Sequence, residues 1–135
     1  MSKPATTSKT RAAPAPSLRW TWDFGIALND LDTRRLLSLL LALLETAALG
    51  KAAAAAGMSY RAAWGLLRRC QEEFGLDLVA MERGRGTRLT PFGESLVEMD
   101  GAARLALGEV HAVWEARMRE LMAPALGRAA GGPPR

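Results

Sequence analysis

The stretch LLSLLLALL, residues 36–44, constrains this chain more than any other. Leucine fills almost every position, so a helix built on it is apolar on nearly all of its faces. Such a helix is stable in water only when other elements wrap around it. The run is about half the length that crosses a bilayer, and Arg34, Arg35 and Glu45 bracket it. It therefore belongs in the middle of a small domain rather than in a membrane. The helix is expected from about Leu31 to Leu49, with Asn29 and Asp30 supplying turn or cap chemistry and Gly50 ending it. A chain of 135 residues has room for one such domain with a modest core.

What flanks the leucines sets the rest. Residues 1–17 are Pro, Ser, Thr and Ala with scattered Lys and Arg, and read as a disordered basic arm. In LRWTWDF (18–24), Leu18, Trp20, Trp22 and Phe24 alternate with polar residues, which predicts a half-buried strand. Its tryptophans are read as core, against the alternative of a platform for nucleic-acid bases. After the leucines, a short alanine helix is expected over Lys51–Ala56, with Gly57 giving a tight turn. Ser59 is a good N-cap for a helix running to about Phe74, where Gly75 stops it. Ala63, Leu66, Leu67, Cys70 and Phe74 share one face of that helix; Arg61, Gly65, Arg68 and Glu72 share the other, with Trp64 and Arg69 on the flanks. LVAM (78–81) and TRLT (87–90) read as strands joined by the Gly- and Arg-rich hairpin ERGRG (82–86). Thr90 and Pro91 then open a helix expected to stop near Met122, before Pro124, ahead of a flexible tail at 123–135.

Several function classes drop out. Cys70 and His111 are the single members of their kinds. No intramolecular disulfide or cysteine metal cluster is possible, and no nucleophile–base pair or phosphate loop is visible. The expectation is a non-enzyme with no catalytic residues, no metal and no cofactor. The N-terminus lacks the apolar core of a secretory signal, and Pro4, Pro14 and Pro16 oppose an amphipathic transit helix. A cytoplasmic, nucleoid-associated protein without membrane contact follows. Lys and Arg total 18 against 14 acids, a net charge of +4. That balance leans weakly toward a polyanionic partner.

The arrangement of the basic residues points further. The expected order is strand, helix, short helix, turn, longer helix, hairpin, long helix: mainly α with a small β-sheet, a winged helix-turn-helix with a long C-terminal dimerisation helix. A recognition helix presents donors to base edges from one face and anchors the other in a core. Arginine suits guanine O6 and N7 bidentately, and a helix N-terminus can hold a phosphate. The candidate DNA-binding residues are Lys51, Ser59, Tyr60, Arg61, Trp64 and Arg68, with Arg83, Arg85 and Arg88 in and beside the wing. For Trp64, packing and DNA contact are both open. On the long helix, Phe92, Leu96, Met99, Ala103, Ala106, Val110 and Val113 recur at alternating spacings of four and three, with Trp114 beside them. That is a seam for a partner helix, and these residues are the candidate dimer interface.

The stretch from Glu45 to Val97 resembles the winged helix-turn-helix of LysR-type regulators. GMSYRAAW (57–64), LTPFGESL (89–96) and LRWTWDF resemble more closely the N-terminal domain of ModE, the molybdate-responsive regulators. The resemblance implies a homodimer held by the long helices, with two recognition helices in successive major grooves of a pseudo-palindromic duplex. It places Ser59, Tyr60, Arg61 and Trp64 at the start of the recognition helix. ModE proteins carry molybdate-binding domains after the winged domain, and this chain ends about where those would begin. Molybdate is therefore not expected, while an effector domain or partner beyond the C-terminus stays open. The division that follows is an arm (1–17), a DNA-binding domain (18–90), a dimerisation helix (91–122) and a tail (123–135). The function expected is a sequence-specific transcription regulator; the alternatives are a nonspecific architectural DNA-binding protein and a winged-helix protein-interaction module.

Overall fold

Asn29 starts the leucine-rich helix. Its side chain accepts from the Asp32 amide at 2.7 Å, and its carbonyl accepts from both the amide and hydroxyl of Thr33. The helix this opens, α1 (Asp30–Thr46), is the first element of a computed structural model that describes residues 14–130. It is followed by α2 (Leu49–Ala55), α3 (Tyr60–Phe74), β1 (Val79–Glu82), β2 (Gly86–Leu89) and α4 (Pro91–Ala130). The described chain is mainly helical, with one two-stranded sheet whose antiparallel register pairs Val79 with Leu89 and Glu82 with Gly86. It divides into two compact units, one from Trp20 to Ala106 and the other joining residues up to Arg19 with the helix from Leu107 onward. No helix among the described residues is long and apolar enough to cross a membrane.

The leucines of α1 do what their density demands. Leu36, Leu39, Leu40 and Leu43 are fully buried, and Leu67 and Cys70 of α3 and Leu78 join them. Ala52 and Ala53 of α2 and Ala63 of α3 are buried in the same core. Burial pushes the Cys70 thiol up to about 11, with Asp32 and Glu73 adding to the rise and Arg69 opposing it, so the sulfur is an inert apolar group.

Four expectations are corrected. The leucine helix does not run to Gly50. It ends at Thr46, because Ala47 adopts a left-handed conformation (φ 56°) and its amide closes on the Leu43 carbonyl. Gly50 lies inside α2. The cause is tertiary: the reversed Ala47 carbonyl accepts from the Thr87 amide at 3.0 Å, docking β2 onto the end of α1. Residues 18–24 are extended but form no strand. The period of two holds only in part: Trp20, Trp22 and Phe24 are part-buried and Arg19 and Asp23 exposed, but Leu18 is exposed and Thr21 is part-buried. Rings rather than a hydrogen-bonded ladder fix the segment: Trp22 stacks on Phe24, Phe24 meets Phe74, and Phe74 meets Phe92 edge-on. The long helix does not stop near Met122 but continues through Pro124 to Ala130. Pro124 lacks the N–H that would reach the Glu120 carbonyl; Ala123, Ala125 and Leu126 favour helix and carry the ladder past the gap. Residues 123–130 are accordingly helix and not a flexible tail. The strand limits also shift by one residue from those expected. Most of the basic arm, residues 1–13, and the last five residues lie outside the described residues.

One polar residue fixes where the sheet begins. Gln71 of α3 accepts with a single oxygen from the amides of Leu78 (2.8 Å) and Val79 (3.1 Å). Both residues are buried, so Gln71→Leu will leave two donors unpaired and cost roughly 2 kcal/mol. Urea unfolding will show the loss as a lower midpoint at unchanged slope.

Candidate nucleic-acid interface

The turn between α2 and α3 is built from local rules. Gly57 takes φ 71°, and the Met58 amide returns to the Ala53 carbonyl at 2.8 Å. Ser59 then caps α3, its hydroxyl accepting from the Ala62 amide at 3.0 Å, and Gly75 closes the helix with φ 71°. Between these caps, Ala63, Leu66, Leu67 and Cys70 face the core. The opposite face is open to solvent and carries Arg61, Gly65 and Arg68, with Tyr60 and Ser59 at its start. Lys51 is exposed on α2.

The hairpin is anchored at its base and free at its tip. Thr87 is buried, while Arg83, Gly84 and Arg85 are exposed, and Gly84 and Gly86 both take positive φ. A Cβ on Gly86 would collide with the Ala47 carbonyl, so this glycine serves the docking of the hairpin as well as its turn. Thr90 holds the other side. Its hydroxyl donates to the Asp77 carbonyl at 2.7 Å and accepts from the Gly93 amide at 3.1 Å, capping α4.

The arginines divide by their partners. Arg69 is tied to Asp32 at 2.8 Å, and Arg88 pairs with Glu82 across the hairpin at 3.5 Å. The Arg88–Glu82 pair is well exposed and contributes little to stability, while Arg69–Asp32 joins an exposed arginine to a part-buried carboxylate. Arg61, Arg68, Arg83 and Arg85 make no ion pair among the described residues. Trp64 is part-buried and packs against the core.

The helix seam divides as well. Leu96 is buried in the chain's own core, and Phe92 and Met99 pack against it. Ala103 is part-buried and Ala106 is exposed. Farther along, Val110 (56%), Val113 (61%) and Trp114 (60%) are exposed. An extended segment lies along another face of this stretch: the Leu18 amide donates to Glu115, Arg119 donates to the Pro16 carbonyl, and His111 bonds the Leu18 carbonyl.

Some contributors were not visible in the sequence. Gln71 is a polar residue beside an apolar stripe, and nothing local marks its partners. Asp100 accepts from Trp22 Nε1 at 2.8 Å and from Arg104 Nε at 2.9 Å; only the second pair, at a spacing of four on one helix, carries a sequence signal.

Two helices joined by a glycine turn, the second with a solvent-facing basic side, followed by a basic-tipped hairpin, define a winged helix-turn-helix. Residues 34–94 match the family of bacterial regulatory helix-turn-helix proteins, lysR family, and over that stretch the chain is similar to its members. Among solved structures, the chain is similar to VV2_1132, a LysR family transcriptional regulator, at 21% identity and a TM-score of 0.46. The alignment covers 64% of this chain and 28% of that one, so this chain spans little more than a quarter of that regulator's length. No curated protein matches the chain.

Proposed function

We propose that this chain is a sequence-specific DNA-binding transcription regulator that acts as a homodimer on a pseudo-palindromic duplex. The observation that carries the reading is the set of unpaired, exposed arginines on α3 and at the hairpin tip, above a face that is otherwise buried. Arg61 and Arg68 stand one heptad apart and read base edges. Gly65 between them keeps the middle of that face free of side chain, at a cost of about 1 kcal/mol in helix propensity, which lets the helix lie deep in a groove. Ser59 and the N-terminus of α3 hold a phosphate. Arg83 and Arg85 contact phosphates or the minor groove, while Lys51 and Arg88 add to the field. Trp64 supports the helix from behind. Ala106, Val110, Val113 and Trp114 meet a second copy; Phe92, Leu96 and Met99 hold the base of the same helix in the domain. GMSYRAAW and LTPFGESL make ModE-like regulators the nearer comparison within this class.

Selection of bound fragments from random DNA at two salt concentrations tests the proposal. One enriched, two-fold-related motif is expected. Equal recovery of all sequences, with affinity collapsing as salt rises, identifies a nonspecific DNA-coating protein instead. With the motif in hand, Arg61→Ala will lose about 1–3 kcal/mol of discrimination at one base position. Arg85→Ala will weaken all duplexes alike and reduce the salt slope by about one. Competition titrations read both effects.

A further inference from the structure

We propose that the cleft between α1 and the first part of α4 binds a small organic monocarboxylate. The cleft is a half-open cavity of about 310 Å³, the lower end of the range for small-molecule sites. It lies wholly within the Trp20–Ala106 unit and is formed by neither α3 nor the hairpin, so the proposal stands apart from the DNA-binding reading. Leu37, Leu41 and Val97 give it apolar walls.

Its charged residues are unequal. Asp100 is spoken for, with one oxygen accepting from Trp22 and the other from Arg104. Arg104 is held in turn, its guanidinium 4.6 Å above the ring of Trp20. These groups neutralise each other and fix one wall. Arg34 on the opposite wall makes no ion pair or side-chain hydrogen bond among the described residues. The cleft therefore offers apolar surface beside one uncommitted guanidinium, whose planar fork suits a carboxylate. Gly101 supplies the room. It sits mid-helix, where glycine is unfavourable, and a Cβ built there would meet nothing within 4 Å. No close packing within the protein fills this position, so the floor of the cleft stays open there.

The test is a proton–nitrogen NMR titration of the full chain with benzoate and hexanoate, using benzamide and hexanamide as neutral counterparts. Saturable shifts are expected at Leu37, Ser38, Leu41, Val97 and Gly101 with one or both acids, and about tenfold weaker binding of the amides, as loss of a charged hydrogen bond predicts. Arg34→Gln will weaken the acid by about tenfold. Leu41→Glu, at a half-exposed position that tolerates charge, will abolish binding without lowering Tm. No saturable shift with either acid, amides that bind as well as acids, or an unchanged affinity in Arg34→Gln each overturns the proposal. So do cleft resonances that move on protein dilution and not with acid, because a second copy then fills the cleft.

Discussion

Gly93→Ala is expected to destabilise the domain by about 3 kcal/mol and to lower Tm by roughly 10–20 °C. Gly93 lies in the first turn of α4, where the chain leaves the hairpin. A Cβ there would run into the Leu78 carbonyl, with the Leu89 side chain close behind. The obstacle is backbone, so no rotamer change relieves it. The Leu78 carbonyl cannot retreat easily either, because it accepts from the Thr90 amide at 3.0 Å, and Thr90 caps the helix through the Gly93 amide. Moving any one of these groups disturbs the other two. Gly50→Ala is the matched control: Gly50 is inside α2, exposed, with open space around it. That change should be neutral or stabilising by up to about 1 kcal/mol. Thermal unfolding followed by circular dichroism separates the two variants. Equal melting temperatures would mean that the Leu78 carbonyl does not press against the first turn of α4.

These two glycines also show where the sequence speaks and where it is silent. Gly57, Ser59, Gly75, Thr90 and Pro91 were legible because turn and cap chemistry is satisfied within a few residues of the cap itself. Gly50 misled for the complementary reason. The end of α1 is decided by the Thr87 amide, forty positions away, and a left-handed alanine carries no local mark. The aromatic segment at 18–24 was half legible. Alternation reports an extended chain with one buried side, but pairing depends on a free sheet edge, and the rings of Phe74 and Phe92 supply the contact instead. Helix continuation past Pro124 was missed because one absent N–H was weighed without the helix formers on both sides.

The candidate interface was legible at the level of faces and less so at the level of side chains. Periodicity separated Arg61 and Arg68 from the core stripe, and the hairpin chemistry placed Arg83 and Arg85 at a tip. Pairing was not visible: Arg88 stands close to an acid whose distance depends on strand register, Glu82. A regular seam on α4 likewise conceals a change of role along its length. The same repeat that buries Leu96 in the domain leaves Val110 and Val113 bare, because periodicity reports a face and not what covers it.

The alanine run supports the second large prediction. Ala53→Leu will cost about 3 kcal/mol and remove DNA binding with it, whereas Ala55→Leu will do neither. Ala53 is 1% exposed, and its carbonyl accepts from the amides of both Ala56 and Met58. It therefore stands where α2 packs into the core and where the turn toward α3 begins. A leucine side chain has no space there without pushing α2 outward, and the push passes to Met58, Gly57 and the cap at Ser59. Loss of that geometry tilts the whole face that carries Arg61 and Arg68. Ala55, in the same helix, points to solvent, so leucine there changes composition but not packing. Chemical denaturation and a gel-shift titration on the selected duplex read the two consequences separately. Arg61→Ala completes the comparison by weakening binding on an intact fold. If Ala53→Leu were normally stable and fully active, α2 would have slack against the core, and the small side chains at 52 and 53 would be explained by helix propensity alone.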